Sequence, residues 1–361
     1  MFHIRNETLL TEMVVTSAPT MRALVLEQFG RMVLADRPVP MPGLGEVLVR
    51  VLATGICGSD VHGFTGENGR RTPGQVMGHE TVGAVASLGR EVDGLRVGDV
   101  VVVNPTLSCG LCSRCRQGKT HICATRKVIG VDPTISSAFA DYFVAPASNL
   151  VPFRAEPLHG ALVEPLAVGF HAASRGEVAG GEHVLVLGGG PIGQAAALAS
   201  RRLGAASVTV SEPMAARRAL LTDLGLRVLD PALQDVLAEV RAVTRSAGAE
   251  VVIDAVGSAE TLGTAVSATA PGGRCVLVGM AAPRLDLDAF AVSTSDRSII
   301  GAFCYSTEEF SSTALWVEDN PRLLNMLISE RVSPEQAPEI FTTLGAGESP
   351  AGKVLVDFSR Q

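Results

Sequence analysis

Aromatic residues make up only 4% of the 361 residues, with one Trp and two Tyr. The core must therefore be packed by Val, Leu and Ala rather than by rings. The chain also lacks a basic excess. Its 30 Lys and Arg stand against 37 Asp and Glu, a net charge of −7, which argues against nucleic acid or an anionic membrane as the main partner. No apolar run reaches the roughly 18 residues of a membrane-spanning helix. The first residues, MFHIRNETLLTEM, carry charges where a signal peptide needs its apolar region. A cytoplasmic location is expected. Cysteines are few and odd in number, seven in all, which speaks against a disulfide framework in a chain with no export signal. Four of them cluster, and clustered thiols in a reducing compartment point to metal. There is no internal repeat and no low-complexity segment. What is plentiful is hydrophobic residues, 47%, and glycine, 38 residues. That composition and length suit an α/β protein of two domains with tight turns.

Residues 1–20 show neither helical nor strand period and read as a tail, with Met21 as the expected natural start. MRALVLEQFG from Met21 reads as a first strand. EVLVRVLATG from Glu46, TVGAVASLG and GDVVVVNP follow as Val-rich strands broken by Gly. No helix of convincing length precedes about residue 155, so the first 150 residues read as a mostly β domain. AFADYFVAPASNLV reads as a further strand pair, and LVEPLAVGFHAA opens a helix.

Two stretches carry chemistry in that first part. GICGSDVHGFTGENGRRTPGQVMGHE (Gly55–Glu80) holds Cys57, His79 and Glu80, a thiolate, an imidazole and a carboxylate that zinc accepts. Three protein ligands leave a fourth position open, as a catalytic zinc requires. Ser59 and His62 stand close by as candidates to move a proton. The competing reading is an unrelated Cys and His with a surface-loop His62. The second stretch is CGLCSRCRQGKTHIC. Cys109, Cys112, Cys115 and Cys123, spaced x2, x2 and x7, would close a structural zinc site. An iron–sulfur cluster is the alternative, but the C-P ending and a second Cys set are missing. Four clustered reduced surface thiols would be an oxidation liability.

The nucleotide signal is EHVLVLGGGPIGQAAALASRRLGAASVTVSEP. Gly188, Gly190 and Gly193 form G-x-G-x-x-G after the strand HVLVLG. Pro191 and Ile192 lie inside the motif, and a helix from Pro191 to Leu203 follows. The glycines let a pyrophosphate approach backbone and helix N-terminus. Glu212 ends the next strand, nineteen residues after Gly193. There it can accept both ribose hydroxyls and repel a 2′-phosphate, which favours NAD over NADP. Arg217 and Arg218 could hold such a phosphate or could be solvated helix residues. VVIDAVG brings Val256 to the same crevice, and PGGRCVLVGM and SIIGAF complete the alternation of a doubly wound parallel sheet. Cys275 and Cys304 fall in apolar strand runs and read as core. SSTALWVEDNPRLLNMLISE is helical, and AGKVLVDF is a closing strand.

GxCGSDxH followed by GHE, together with the Cys lobe and the glycine motif, resembles the zinc-dependent medium-chain alcohol dehydrogenases. The EPLAV segment with Glu164 is similar to the sorbitol, threonine and 2,3-butanediol dehydrogenase branch, where a Glu there reaches the catalytic zinc or its water. By residues alone Glu164 is equally a helix-start carboxylate. The resemblance, over about residues 21–361, implies a GroES-like catalytic domain at 21–164 with a structural lobe at 104–125. It further implies a Rossmann domain at 165–305 and a return to the catalytic domain at 306–361. It implies two zinc ions per chain, one catalytic and one structural, and NAD as cofactor. The expected substrate is a small-molecule secondary alcohol, diol or polyol, or the matching ketone. Ser59, the nicotinamide ribose and His62 would form a proton relay. A homodimer or homotetramer is the family expectation. Loops at Phe64, Glu67, Ser136, Ser137 and Phe303 are expected to shape the pocket. Ser137 and Ala138 depart from the Gly pair that relatives often carry before Phe139. The other readings are a zinc-free medium-chain reductase of activated double bonds, a non-catalytic structural relative and a zinc-binding regulatory module.

Overall fold

A computed structural model describes residues 19–359 except 68, 136 and 246. The expected tail thus lies almost wholly outside the described residues, as does Ser136. Thr20 already belongs to the first strand, β1 (Thr20–Gln28), which pairs antiparallel with β2 (Arg31–Pro38). A larger sheet follows, built from β3 (Glu46–Gly55), β4 (Glu80–Leu88) and β5 (Val100–Val103). In β3 buried Val47, Val49 and Val51 alternate with less buried neighbours, Arg50 being exposed, which is the period of a strand with one core face.

A helix interrupts this β domain where none is expected. α1 (Gly58–Thr65) has two glycines and the β-branched Val61, poor helix formers. Its start is held by a local capping box instead. Asp60 accepts the Cys57 N–H at 3.3 Å, and Gly66 closes the helix at φ 85°. Next come β6 (Thr106–Leu107), α2 (Ser113–Arg116) and β7 (Lys127–Val128), which form the cysteine-bearing lobe. β8 (Tyr142–Pro146) pairs with β3, and β9 (Leu150–Pro152) with β5.

The long helix α3 (Val163–Arg175) then leaves the β domain, so the boundary expected at Glu164 falls one residue inside it. The second sheet has β10 (His183–Leu187), α4 (Pro191–Arg202), β11 (Ser207–Ser211), α5 (Ala215–Asp223), β12 (Arg227–Leu229), α6 (Val236–Val243) and β13 (Ala249–Asp254). It continues through α7 (Ala259–Ala268), β14 (Thr269–Leu277), α8 (Ala289–Ser293) and β15 (Ser298–Gly301). Its order is β12-β11-β10-β13-β14-β15, parallel throughout. The order reverses between β10 and β13, and ligands of such sheets lie in the crevice at that point. β10 is buried along nearly its whole length, as a strand covered on both faces must be. α4 packs on α3 through small residues: a Cβ on Gly169 would lie 2.4 Å from the Ala195 backbone.

Cys275 is buried in β14, as expected. Cys304 is not a strand residue. β15 ends at Gly301, and Cys304 sits beyond it, partly exposed, with φ 52°.

The chain then runs through α9 (Thr307–Asp319), α10 (Pro321–Leu327), β16 (Ile328–Val332), α11 (Ala337–Gly345) and β17 (Lys353–Asp357). β17 pairs antiparallel with β3 and completes a seven-stranded sheet. One apolar cluster joins the two units: Val82 and Val102 of the first sheet, Leu166 of α3 and Val186 of the second. Among the described residues, no helix is long and apolar enough to cross a membrane.

Candidate active site and metal centres

The register of β3 and β4 pairs Gly55 with Glu80. Cys57 stands two residues beyond the end of β3, and His79 one before the start of β4. Donor atoms of Cys57, His79 and Glu80 consequently lie within 4.8 Å of one another. Glu80 is fully buried. A Cβ on Gly55 would come within 2.2 Å of Glu80 Oε2, so only glycine admits the carboxylate at this place. Glu80 Oε2 and His79 Nδ1 are buried without a hydrogen-bond partner. His79 Nδ1 faces Asp60, but Glu80 Oε2 faces no donor, and a cation among the thiolate, imidazole and carboxylate supplies its missing partner.

The surroundings brace this cluster. The Lys353 Nζ donates to Glu80 Oε1 at 2.6 Å and to the Ile56 carbonyl at 3.2 Å. Asp60, fully buried, lies 3.5 Å from His79 Nδ1, near enough for an ion pair but without hydrogen-bond alignment. Arg71 Nη2 donates to Asp60 at 3.2 Å. Burial pushes the Asp60 carboxyl up, yet His79 and Arg71 outweigh it and hold the group below its ordinary value. Glu164 is buried on the first turn of α3 and accepts from the Tyr305 hydroxyl at 3.0 Å. Burial pushes its carboxyl up to about 7; Glu80 adds to the push, while His79, Tyr305 and Lys353 pull the other way. Glu164 is not one of the three mutually close donors. Cys304 borders the same place: burial pushes its thiol up to about 12, with Glu164 adding to the rise and Thr106 opposing it.

Ser59 lies on the first turn of α1, two residues after Cys57. His62 is exposed one turn on, its Nδ1 2.9 Å from Glu67 Oε2. Of the residues expected to shape the pocket, Phe64 is instead a core residue, 3% exposed and packed on Phe341. Ser137 is buried, accepting from the Gly130 N–H at 2.8 Å and donating to the Ile135 carbonyl at 3.0 Å, and so is spent on its own loop. Phe303 carries Arg126 over its ring at 4.9 Å. Lys353, Tyr305, Asp60 and Arg71 escape the sequence reading. Lys353 alone leaves a trace, as the cation in an otherwise apolar closing strand, since a buried charge needs a partner.

Cys109, Cys112, Cys115 and Cys123 also lie with their sulfurs within 4.8 Å of one another. The Cys109 N–H donates to Cys123 Sγ at 3.5 Å, and the Cys112 N–H to Cys109 Sγ at 3.4 Å. The Cys109 N–H foremost, then the hydroxyl and N–H of Thr125, bring the Cys123 thiol down to about 6. Four converging sulfurs, one of them readily ionised, could hold a metal ion. The lobe is fastened to the second unit. Thr120 and Thr307 hydroxyls meet at 3.2 Å, the His121 ring stands edge-on to His171 at 4.6 Å, and His171 Nδ1 lies 2.9 Å from Glu309.

The glycine motif closes the gap between β10 and α4. Gly188 has φ 89°, and a Cβ on Gly193 would lie 1.8 Å from the Gly188 carbonyl oxygen. Gly190 caps α4, Pro191 and Ile192 form its first turn, and Val256 abuts Gly188 from the end of β13. Such a turn fits a pyrophosphate on the helix N-terminus. Glu212 is buried at the end of β11. It accepts from the Gly189 N–H at 2.6 Å and the Met214 N–H at 2.7 Å. Arg217 Nη1 lies 3.8 Å from Glu212, facing Gly190. Arg218 is spent on the Asp230 carboxylate at 2.6 Å and on the Glu212 backbone carbonyl at 3.0 Å.

Comparisons with known proteins agree with this geometry. Residues 43–155 match the family model of the alcohol dehydrogenase GroES-like domain, and residues 191–319 that of the zinc-binding dehydrogenases. L-galactonate-5-dehydrogenase of Escherichia coli K12 is 32% identical over 86% of this chain and 92% of its own. L-threonine 3-dehydrogenase of Pyrococcus furiosus is 37% identical over 71% of this chain and 74% of its own. A crystal structure described as a zinc-binding dehydrogenase of Sinorhizobium meliloti 1021, bound to NADP, superposes with a TM-score of 0.86. It is 30% identical, covering 94% of this chain and 99% of that one. With a GroES-like unit, a dinucleotide-type sheet and these donors all in register, the chain belongs to the zinc-dependent medium-chain alcohol dehydrogenase family, in its sorbitol- and threonine-dehydrogenase-like branch.

Proposed function

We propose that the protein transfers a hydride between NAD and a secondary alcohol carrying neighbouring polar groups, such as a diol, polyol or sugar-derived hydroxyl. The observation that carries this reading is the convergence of Cys57, His79 and Glu80 within 4.8 Å, with a buried orphan oxygen on Glu80. Cys57, His79 and Glu80 would hold a catalytic zinc, and Cys109, Cys112, Cys115 and Cys123 a structural one. Gly188, Gly190, Pro191, Ile192, Gly193 and Val256 would hold the dinucleotide. When bound, zinc supplies Lewis-acid polarisation of a substrate oxygen and nicotinamide supplies the hydride acceptor.

The chain's own residues do the rest. Lys353 offsets the Glu80 charge and leaves Oε2 for the donor cluster. Ser59 accepts the proton that the substrate hydroxyl loses while giving up its own hydroxyl hydrogen, and His62, one helical turn on at the surface, releases a proton to water. Glu67 holds His62 at the surface through the 2.9 Å contact. Glu164 stands near the cluster as a carboxyl of variable charge, held by Tyr305. The choice of NAD rests on buried Glu212, whose carboxylate would repel a 2′-phosphate. Arg217 favours the opposite choice, and the Sinorhizobium structure holds NADP, so both cofactors belong in the test.

That test is reduced-nicotinamide formation from a panel of polyols, sugar acids, diols, threonine and simple secondary alcohols. Each is run with NAD and with NADP, with and without a zinc chelator. Chelator-sensitive turnover with NAD is the expected result. Turnover of activated double bonds that chelator does not touch would replace the reading with a zinc-free reductase. No turnover from protein holding two zinc ions per chain would replace it with a non-catalytic role.

A further inference from the structure

One carboxamide joins the dinucleotide turn to the metal-donor cluster. Gln194 follows the last glycine of the motif and is buried, 2% exposed. Its Nε2 donates to the Gly189 carbonyl at 2.8 Å and to the Ala351 carbonyl at 2.7 Å. Gly189 belongs to the turn between β10 and α4. Ala351 belongs to the segment that enters β17, in the other unit. A primary amide nitrogen has two hydrogens, and both are spent here. Arg217 holds the same segment at the Pro350 carbonyl, 3.4 Å away.

The segment itself has little freedom. The Gly352 N–H donates to Ser329 Oγ at 2.6 Å, and a Cβ on Gly352 would lie 2.3 Å from the Leu327 carbonyl oxygen. The next residue is Lys353, whose Nζ is the partner of Glu80 Oε1 at 2.6 Å. Ala351 and Lys353 are two residues apart, a span of at most about 7 Å of extended chain. Displacement of the Ala351 carbonyl is thus felt at Lys353 before it can be absorbed elsewhere.

We infer that Gln194 is a positioning residue that couples occupancy of the dinucleotide turn to the grip of Glu80 on the catalytic metal. The inference rests on the functional reading above, since it takes the turn for a pyrophosphate site and the donor cluster for a zinc site. A ligand that orders Gly188–Gly193 orders the Gly189 carbonyl. Through Gln194 it also fixes the Ala351 carbonyl, and Lys353 then stays on Glu80 Oε1. Coupling of this kind is reciprocal, so bound metal tightens the dinucleotide site by the same factor. A side chain without two N–H hydrogens cannot do this, because it leaves one of the two carbonyls without its donor.

The test follows the release of catalytic zinc from the full zinc-loaded protein to a chromogenic chelator, with and without saturating ADP-ribose. ADP-ribose carries the pyrophosphate but no nicotinamide, so it fills the turn without a ring over the metal. In the wild type it should slow release roughly fivefold or more, the lower end of the usual range for coupled sites. In Gln194→Met the slowing should fall below about twofold, although ADP-ribose still saturates the protein. Gln194→Glu, of the same shape but with one hydrogen at most, should lose the protection too, which keeps the test open if one variant folds poorly. Retention of the zinc at the four cysteines marks the fold as intact, and a merely structural role for Gln194 would leave the ratio unchanged. Equal protection in wild type and variants overturns the role of Gln194. Bound ADP-ribose that gives the wild type no protection overturns the coupling. Failure of the wild type to bind ADP-ribose at all, or to hold a releasable zinc, overturns the functional reading and the coupling with it.

Discussion

Replacing Lys353 by Met tests how the donor cluster is kept charged inside the protein. The Lys353–Glu80 pair is 2.6 Å apart, with side chains 5% and 0% exposed. At an effective dielectric of about 20, two unit charges at that distance attract by about 6 kcal/mol. Desolvation takes back part of this. Breaking one partner of a buried pair therefore costs about 3–5 kcal/mol, because the other charge is left without a counter-ion. In metal-free protein, Lys353→Met should lower stability by that amount. With a urea dependence of about 3 kcal/mol per molar, the unfolding midpoint falls by about 1–1.7 M.

Two comparisons make the reasoning refutable. In the zinc-loaded protein the metal also faces Glu80. The loss should shrink there to that of a hydrogen bond to a charged group, about 1.5–3 kcal/mol. In the double variant with Glu80→Gln neither charge of this pair is left buried, and most of the metal-free stability should return. The assay is urea unfolding of the four proteins, wild type, each single variant and the double, with and without zinc. Equal losses with and without zinc would show that Lys353 does not serve as the counter-charge of a metal-binding carboxylate. Failure of Glu80→Gln to restore stability would show that the loss comes from packing of the lysine stem.

Glu164→Ala should lower turnover at least tenfold, on the order of 1.4 kcal/mol in barrier, while zinc content by metal analysis stays near that of the wild type; zinc lost in proportion to activity would make Glu164 a plain ligand. Cys123→Ser should halve the metal content from two ions per chain to one and leave the lobe open to proteolysis, since a closed four-thiolate site cannot spare a ligand. Glu212→Ser should shift the NADP-to-NAD ratio of kcat/KM upward by about tenfold or more, and Arg217→Ala should lower it, because the first removes a buried anion beside the ribose site and the second the cation facing it; unchanged ratios would take both residues out of cofactor choice. Glu309 is pushed up by burial, but the His171 ring and the Ser306 N–H outweigh this and hold it below its ordinary value of 4.5. Its contribution is therefore present above about pH 4.5 and lost as the pH falls through the lower folded value. Wild type should exceed Glu309→Gln in stability, by about 0.3–1 kcal/mol as for a negative charge at a helix N-terminus, at neutral pH, and the difference should fade in acid; a gap that widens in acid would contradict the pairing.

What was legible in the sequence is what lies close together along the chain. Glu46–Gly55 is a strand because its valines alternate, and Gly188–Gly193 is a turn because three glycines sit at fixed spacing. The cysteine lobe is legible for the same reason. Long-range partners are not. Lys353 meets Glu80 across 273 residues, and Tyr305 meets Glu164 across 141. No local pattern encodes either contact. α1 was missed because its propensity is poor and its start depends on Asp60, which is itself held by Arg71. Missing that helix also misplaced Phe64: on a loop it would face the pocket, but on α1 it turns into the core against Phe341. The apolar run around Cys304 reads as core, but the strand it would extend stops at Gly301.

The register of one sheet turns these scattered residues into a site. β4 antiparallel to β3 sets Glu80 opposite Gly55, and β17 antiparallel to β3 on its other side sets Leu355 opposite the same glycine. Gly55 is thus the point where three strands meet, and Cys57, His79, Glu80 and Lys353 all lie within two residues of it or of its partners. A slip of one residue in either pairing would exchange the faces of a strand, turning Glu80 or Lys353 away from the cluster while leaving every motif in the sequence intact. The alternation of β3 fixes that strand's own face, with Val47, Val49 and Val51 in the core, and its register with β4 shifts between Val51 and Ala53 before it reaches Gly55. The donors at the end of β3 are therefore set by the short pairing beyond that shift, Ala53 with Val82, Thr54 with Thr81 and Gly55 with Glu80 on one side, and Gly55 with Leu355 on the other.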